Sequence, residues 1–194
     1  MNIDFILDIS CLWSYIAWRQ LQTVLKENAI SAKITPFFMT GGSFFPGFNI
    51  QPADKARMLE RKVRPFLQET GIFVNFDSLP ELSSDLSLPC QLVRSAFIQK
   101  KYKVLDEVFS TFFSFGQDIS DSETIYSIAE RYGLKIKKSQ RTSLPANMPE
   151  SLRAVPCLIF DHTTIIFGAQ SVPCLQNMLH LTNQLEKEKA FSEK

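Results

Sequence analysis

The sequence predicts an α/β fold in the order βαβ, helical block, ββα. Three observations predict it. Short runs rich in Ile and Phe lie near both ends of the chain, a helix-period stretch separates the first two runs, and the long middle carries helix start and stop signals. At 194 residues the chain is long enough to bury most of its apolar surface, as one domain carrying a sizeable insertion.

The first run, "IDFILDI" (3–9), ends at Ser10 and reads as a strand buried on both faces. From Leu12 the pattern changes to helical spacing, through Tyr15, Ile16, Trp18, Leu21, Val24 and Leu25, and Asn28 provides a stop. "AKITPFF" (32–38) is the second strand, and Pro36 assigns it to an edge or a strand end because proline donates nothing to a ladder. Strand, helix and strand joined by short links make a right-handed βαβ unit with parallel strands. The stretch 39–52 mixes Gly, Pro and Phe without a period, which marks a long functional loop.

Residues 53–70 form a helix with a bend expected at Pro65 and an end at Gly71. Pro89 opens a further helix, "VLDEVFSTFFSFG" is another closed by Gly116, and a capping box at Ser120 to Glu123 precedes "TIYSIAERYG". The polar stretch 135–153 reads as a surface connection or a very short helix. "PCLIFDHTTIIFG" (156–168) is a hairpin turning at Asp161 to Thr164. A last helix spans 171–187, with Ser171 as N-cap, Pro173 in the first turn and Leu175, Leu179 and Leu185 inward, and the tail from Lys187 is expected to fray.

Lys and Arg number 21 against 20 Asp and Glu, with no basic block beyond Lys135 to Lys138, so charge does not point to nucleic acid or anionic membrane. The N-terminus lacks the features of a signal peptide and no apolar run reaches membrane length, which points to the cytoplasm. Cys11, Cys90, Cys157 and Cys174 are scattered without CxxC or CxxH spacing, which argues against a disulfide framework or a metal site.

Cys11 falls where the first strand ends and the first helix begins, facing unpaired N–H groups and the positive helix end. Such a place can lower a thiol pKa from about 8.5 to between about 3.5 and 7.5, so a reactive thiolate at neutral pH is expected. The competing reading is a small apolar residue closing the strand. Ser14, one turn on, can donate to the sulfur. A CxxS site holds one thiol, so its mixed disulfide must be released by a second thiol from elsewhere, with glutathione the obvious cytosolic candidate. Cys90 and Cys174 read as packing residues, and Cys157 as the one candidate internal partner. Val155-Pro156 precedes a strand, where a proline is tolerated and a cis bond is an option.

Taken in order, "DISCLWSYIAW", "VRSAF", "GQDISD", "AVPCLIF" and "IIFGAQS" resemble the DsbA-like branch of the thioredoxin superfamily, in particular its FrnE-like members. Related proteins include kappa-class glutathione transferases and hydroxychromene-carboxylate isomerases. The resemblance implies a thioredoxin fold with a mixed four-stranded sheet and an all-helical insertion between its halves. The parts are then 1–52 for the βαβ half, 53–150 for the insertion and 151–194 for the ββα half. It also implies that Cys11 is the nucleophile, or replaces the kappa-class serine that activates glutathione, and that Ser14 takes the second position. Val155-Pro156 would be the cis-proline that pairs with a bound peptide or glutathione, and Gly168, Ala169 and Gln170 the turn that holds the γ-glutamyl end. Asn49 would match a glutathione-contacting asparagine. Leu12, Ser14 and Ala154 depart from the family's proline, second cysteine and glycine, which points away from two-cysteine dithiol oxidation.

The expected function is therefore a monothiol, glutathione-linked thiol–disulfide oxidoreductase acting on a small thiol or disulfide or on a protein disulfide, with glutathione as co-substrate and no metal. Two alternatives stay open. One is a glutathione-dependent transferase or isomerase of a small aromatic substrate, with Trp13, Phe38, Phe44 and Phe45 lining its pocket. The other is a binding module that keeps the fold without turnover. The kappa-class relatives dimerise, and a homodimer is open on the same ground.

Overall fold

A computed structural model describes residues 1–39, 53–80, 82, 85–136 and 155–192. The elements are β1 (Asn2–Leu7), α1 (Leu12–Glu27), β2 (Lys33–Phe38), α2 (Ala53–Thr70), α3 (Ser87–Ile98), α4 (Lys103–Phe113), α5 (Ser122–Arg131), β3 (Cys157–Phe160), β4 (Thr164–Phe167) and α6 (Val172–Ser192). The four strands form one mixed sheet in the order β2-β1-β3-β4. β1 runs parallel to β2 and antiparallel to β3, and β3–β4 is an antiparallel hairpin. Pro36 lies in β2, an edge strand, where its missing N–H leaves no internal ladder unsatisfied. This is a thioredoxin-like α/β fold with helices α2 to α5 between the two halves.

The alternation of β1 divides the molecule. Ile3, Phe5 and Leu7 point into a large core with α1, α3, α4 and α6, whereas Ile6 points to the other face with Phe37, Cys157 and Ile159. On the large-core side Phe5 stacks on Trp18 at 5.9 Å, and Trp18 meets Phe97 and Tyr102 at 5.6 and 6.4 Å. Tyr15, one turn earlier on α1, stacks on Phe109 of α4 at 4.9 Å. Helix α1 is thus packed between the sheet and the inserted helices, which share one core with it.

Local signals explain most element ends. Ser171 caps α6, its Oγ accepting the Cys174 N–H at 3.4 Å, and Leu175 and Leu179 are buried as their spacing predicts. Gly71 and Gly116 take the positive φ angles that end α2 and follow α4. Helix α2 runs continuously across Pro65.

Two expectations need correction. The N-cap of α5 is Asp121, whose carboxylate accepts the Thr124 N–H at 2.8 Å. Ser120 stands one residue before that cap, where its N–H and hydroxyl both donate to Asp118 Oδ1, at 2.7 and 2.6 Å. The last helix also runs on to Ser192, past the expected end at 187. Of the stretch 135–153, only its first two residues fall within the described residues.

Candidate active site

β1 ends at Leu7, and the chain then turns into α1 through Asp8, Ile9 and Ser10. The Asp8 side chain holds this turn, its Oδ1 accepting the Ser10 N–H at 2.8 Å and the Ser10 hydroxyl at 2.6 Å. The Asp8 carbonyl accepts the Cys11 N–H at 3.1 Å. Cys11 is thereby fixed as the N-cap of α1 in extended conformation (φ −99°, ψ 116°), its carbonyl taking the N–H of Ser14 at 2.9 Å and of Tyr15 at 3.2 Å.

Ser14 is fully buried, and its hydroxyl oxygen accepts the Asp8 backbone N–H at 3.2 Å. That leaves the hydroxyl proton to donate, and the Ser14 hydroxyl is among the groups that favour the Cys11 thiolate, with the backbone N–H groups of Ser14 and Trp13. The charge balance nevertheless runs against the anion. Burial of the sulfur outweighs these donors and, with the neighbouring Asp8 carboxylate, pushes the Cys11 thiol above its ordinary value. The expectation of abundant thiolate at neutral pH is corrected accordingly. Asp8 is itself raised by burial, against the opposing hydrogen bonds from Ser10.

The Val155–Pro156 peptide bond is cis. β1 and β3 pair Ile6 with Cys157, so continuing the register one step sets Pro156 opposite Leu7, at the strand end from which the Cys11 turn departs. The Pro156 carbonyl accepts the Gly168 N–H at 2.8 Å, which closes β4 against it, and Gly168 takes φ +73°. Cys11, Ser14, Val155, Pro156 and Gly168 are therefore positioned by adjacent strand ends.

The turn after Gly168 is engaged with the protein itself. The Gln170 amide donates to the Phe167 carbonyl at 2.6 Å, and its oxygen accepts the Cys174 thiol at 3.7 Å. The N-terminus of α6 is met from the insertion, where Glu69 of α2 accepts the Val172 N–H at 2.9 Å and the Gln20 amide at 3.0 Å. Ala169 packs against the large core. Glu69 was not legible as part of this corner, because its partner lies more than a hundred residues away in the chain and no local motif links them.

Trp13 packs edge-on against Phe66 of α2, with ring centroids 5.3 Å apart, so it joins the inserted helix to the site. Phe38 ends β2 on the same side of the sheet and lies under Arg94 of α3, at 5.1 Å. Asn49, Phe44, Phe45 and Ala154 lie outside the described residues.

All four cysteines are free thiols. Cys157 packs on the opposite face of the sheet from α1, with Ile6 and Ile159, and burial pushes it up to about 12. It is not placed to pair with Cys11, because a residue paired with Ile6 points away from the face on which Phe5 and Leu7 meet α1. Cys90 is buried on α3 and is raised by burial, then by the charge of Asp8, the acid beside Cys11. Among the described residues no cluster of His, Cys, Asp and Glu suits a metal ion, and no helix is long and apolar enough to cross a membrane.

A helix-capping cysteine after the first strand and a cis-proline before the third thus lie at adjacent strand ends of a thioredoxin-like scaffold. The chain belongs to the DSBA-like thioredoxin domain family, whose model matches residues 2–180. Among solved structures it is similar to a probable DsbA oxidoreductase from Streptomyces coelicolor, with 15% identity over 92% of this chain and 88% of that one and a TM-score of 0.69. A 2-hydroxychromene-2-carboxylate isomerase is similar at 15% identity over 98% of both chains, with a TM-score of 0.66. A putative protein disulfide isomerase from Nitrosomonas europaea is similar at 17% identity over 95% of this chain and 98% of that one, with a TM-score of 0.60. No curated protein matches the chain.

Proposed function

We propose that this protein is a monothiol thiol–disulfide oxidoreductase in which Cys11 is the nucleophile and an external thiol, glutathione in the first instance, completes the cycle. The observation that carries this reading is the place of Cys11, the N-cap of α1 at the end of the first strand, partly exposed where Cys90 and Cys157 are buried. The buried Ser14, one turn on, is fixed by the Asp8 N–H at 3.2 Å. A thiol at a helix N-terminus that a partner can reach suits attack on a disulfide, whereas a thiol that merely fills the core does not.

In the cycle the Cys11 thiol loses its proton, and the sulfur attacks one sulfur of a disulfide R–S–S–R′. The Cys11–S–S–R bond forms, the S–S bond of the substrate breaks, and the thiolate R′S⁻ leaves and takes up the released proton. Ser14 in place of a second cysteine offers no thiol at one helical turn. A glutathione thiolate therefore attacks the mixed disulfide at the substrate sulfur, restores Cys11 and carries R away as R–S–S–glutathione. In sum the R′ sulfur is reduced to a thiol, the glutathione sulfur is oxidised into the new disulfide, and the number of disulfides is unchanged. Val155 beside cis-Pro156 offers backbone groups for strand-like pairing of the bound peptide, and Trp13 and Gln170 line the flanks.

The raised Cys11 thiol favours a second reading, a peptide- or thiol-binding module without turnover. The two separate in one assay. Reduction of the mixed disulfide of glutathione and 2-mercaptoethanol in the presence of glutathione, with turnover lost in Cys11→Ser, supports the enzyme. Peptide binding that Cys11→Ser retains, with no turnover in the wild type at any pH, supports the module.

A further inference from the structure

Among the described residues Arg94 has no carboxylate partner, in a place that calls for explanation. Its guanidinium lies 5.1 Å from the centroid of the Phe38 ring, and its Nε is buried without a hydrogen-bond partner. Among the described residues it makes no ion pair and no hydrogen bond, whereas Arg19, Arg64 and Arg131 each meet a carboxylate. A buried N–H left unsatisfied costs stability, so an apolar side chain packed on Phe38 would serve the fold better than an arginine. The residue is only half-buried, which leaves its terminal Nη fork as the part able to meet a ligand.

Its position ties that fork to the thiol. Phe38 is the last residue of β2 and pairs in register with Leu7, the last residue of β1, one residue before Asp8. The Met39 N–H continues the ladder to the Leu7 carbonyl at 2.9 Å. Phe38 faces the core shared with α1, so Arg94 and Cys11 lie at the same end and on the same face of the sheet, above neighbouring strands. Cys90, one turn before Arg94 on α3, feels both the Arg94 charge and that of Asp8, which holds the Cys11 turn. Crevices at the carboxyl ends of parallel strands are where α/β sheets commonly bind ligands.

We propose that Arg94 is the substrate-recognition residue of the Cys11 site, binding a carboxylate of the thiol or disulfide that Cys11 attacks. This rests on the reading of Cys11 as the nucleophile. The guanidinium fork is matched to a planar carboxylate by two parallel N–H···O bonds, and the Phe38 face holds it in plane. The preferred partners are thus acidic thiols and their disulfides over neutral ones.

The test compares two alkylating agents of nearly equal size, iodoacetate and iodoacetamide, on the full-length chain, with modification of Cys11 followed by peptide mass spectrometry. Arg94→Gln should lower the iodoacetate to iodoacetamide rate ratio by roughly threefold or more, as expected for one favourable charge at short range. The iodoacetamide rate carries any change in the thiol itself, so the ratio isolates the carboxylate preference, and Arg94→Lys should keep part of it. The wild-type ratio should also fall as salt is raised, a readout that needs no variant to fold. An unchanged ratio in Arg94→Gln, or a wild-type ratio indifferent to salt, overturns the role of Arg94 and leaves Cys11 as nucleophile intact. Failure of Cys11 to react with either reagent across the alkaline range overturns both.

Discussion

Glu69 of α2 and Val172 of α6 meet through a 2.9 Å hydrogen bond from the Val172 N–H to the Glu69 carboxylate, so a residue of the insertion caps the last helix of the thioredoxin-like half. The other carboxylate oxygen takes the Gln20 amide of α1 at 3.0 Å. One side chain therefore joins three helices.

Glu69→Ala removes both bonds together with the negative charge at a helix N-terminus. The expected loss is about 1–3 kcal/mol, read as a lower urea midpoint with an unchanged slope. Glu69→Gln should recover part of it, because an amide oxygen can still accept from Val172.

Ser14→Ala leaves the Asp8 N–H without its acceptor in a buried place. A destabilisation of about 1–3 kcal/mol is expected in urea unfolding. The same variant loses a donor to the Cys11 anion, so the pH profile of Cys11 alkylation should move further up.

Asp8→Asn should move that profile the other way. The carboxylate raises Cys11, and an amide keeps an oxygen for the Ser10 N–H and hydroxyl while removing the charge. An iodoacetamide rate profile in which the half-maximal pH falls in Asp8→Asn and rises in Ser14→Ala would establish both effects; no movement in either would reject them.

Alkaline stability follows from the raised thiols. Cys157 has a folded value of about 12, above that of the unfolded chain, so the folded state holds its proton where the unfolded state has released it. The stabilisation is complete below the unfolded value and declines as pH rises from there toward about 12, by at most about 1.4 kcal/mol per pH unit for each such thiol. Cys157→Ala should flatten the fall in urea midpoint above the unfolded thiol value, and an unaltered slope would contradict the assignment.

Gly116→Ala tests a close approach. Gly116 has φ +63°, and a Cβ there would collide with the Ser78 carbonyl oxygen. A loss of more than about 1 kcal/mol is expected, whereas Gly133→Ala, at a similar φ but in open space, should cost less. Paired urea titrations of the two variants make the comparison.

The elements that sequence made legible were those whose signals are local. Helical spacing from Leu12, the Ser171 cap, the edge position of Pro36 and the hairpin at Asp161 each depend on residues a few positions apart. The placement of Cys11 at the start of α1 was legible for the same reason, whereas the state of its sulfur was not. Helix ends favour an anion, but burial and the Asp8 charge are set by tertiary packing and prevail. The cap of α5 was misread by one residue, because two neighbouring side chains can each cap and it is the Asp121 carboxylate that accepts the Thr124 N–H, which the spacing of the box does not reveal. Glu69 carries no motif, and Arg94, although it lies in "VRSAF", enters there only as part of a resemblance; their contacts appear only when α2 meets α6 and α3 meets the end of β2.

The indole of Trp18 lies between Phe5 of the sheet and Phe97 and Tyr102 of the inserted region. A lineage that trimmed those helices would strip the aromatic cover from the back of α1 and expose the underside of the helix that presents the thiol. A homologue with a shorter middle should therefore carry a smaller, more polar residue at this position of its first helix.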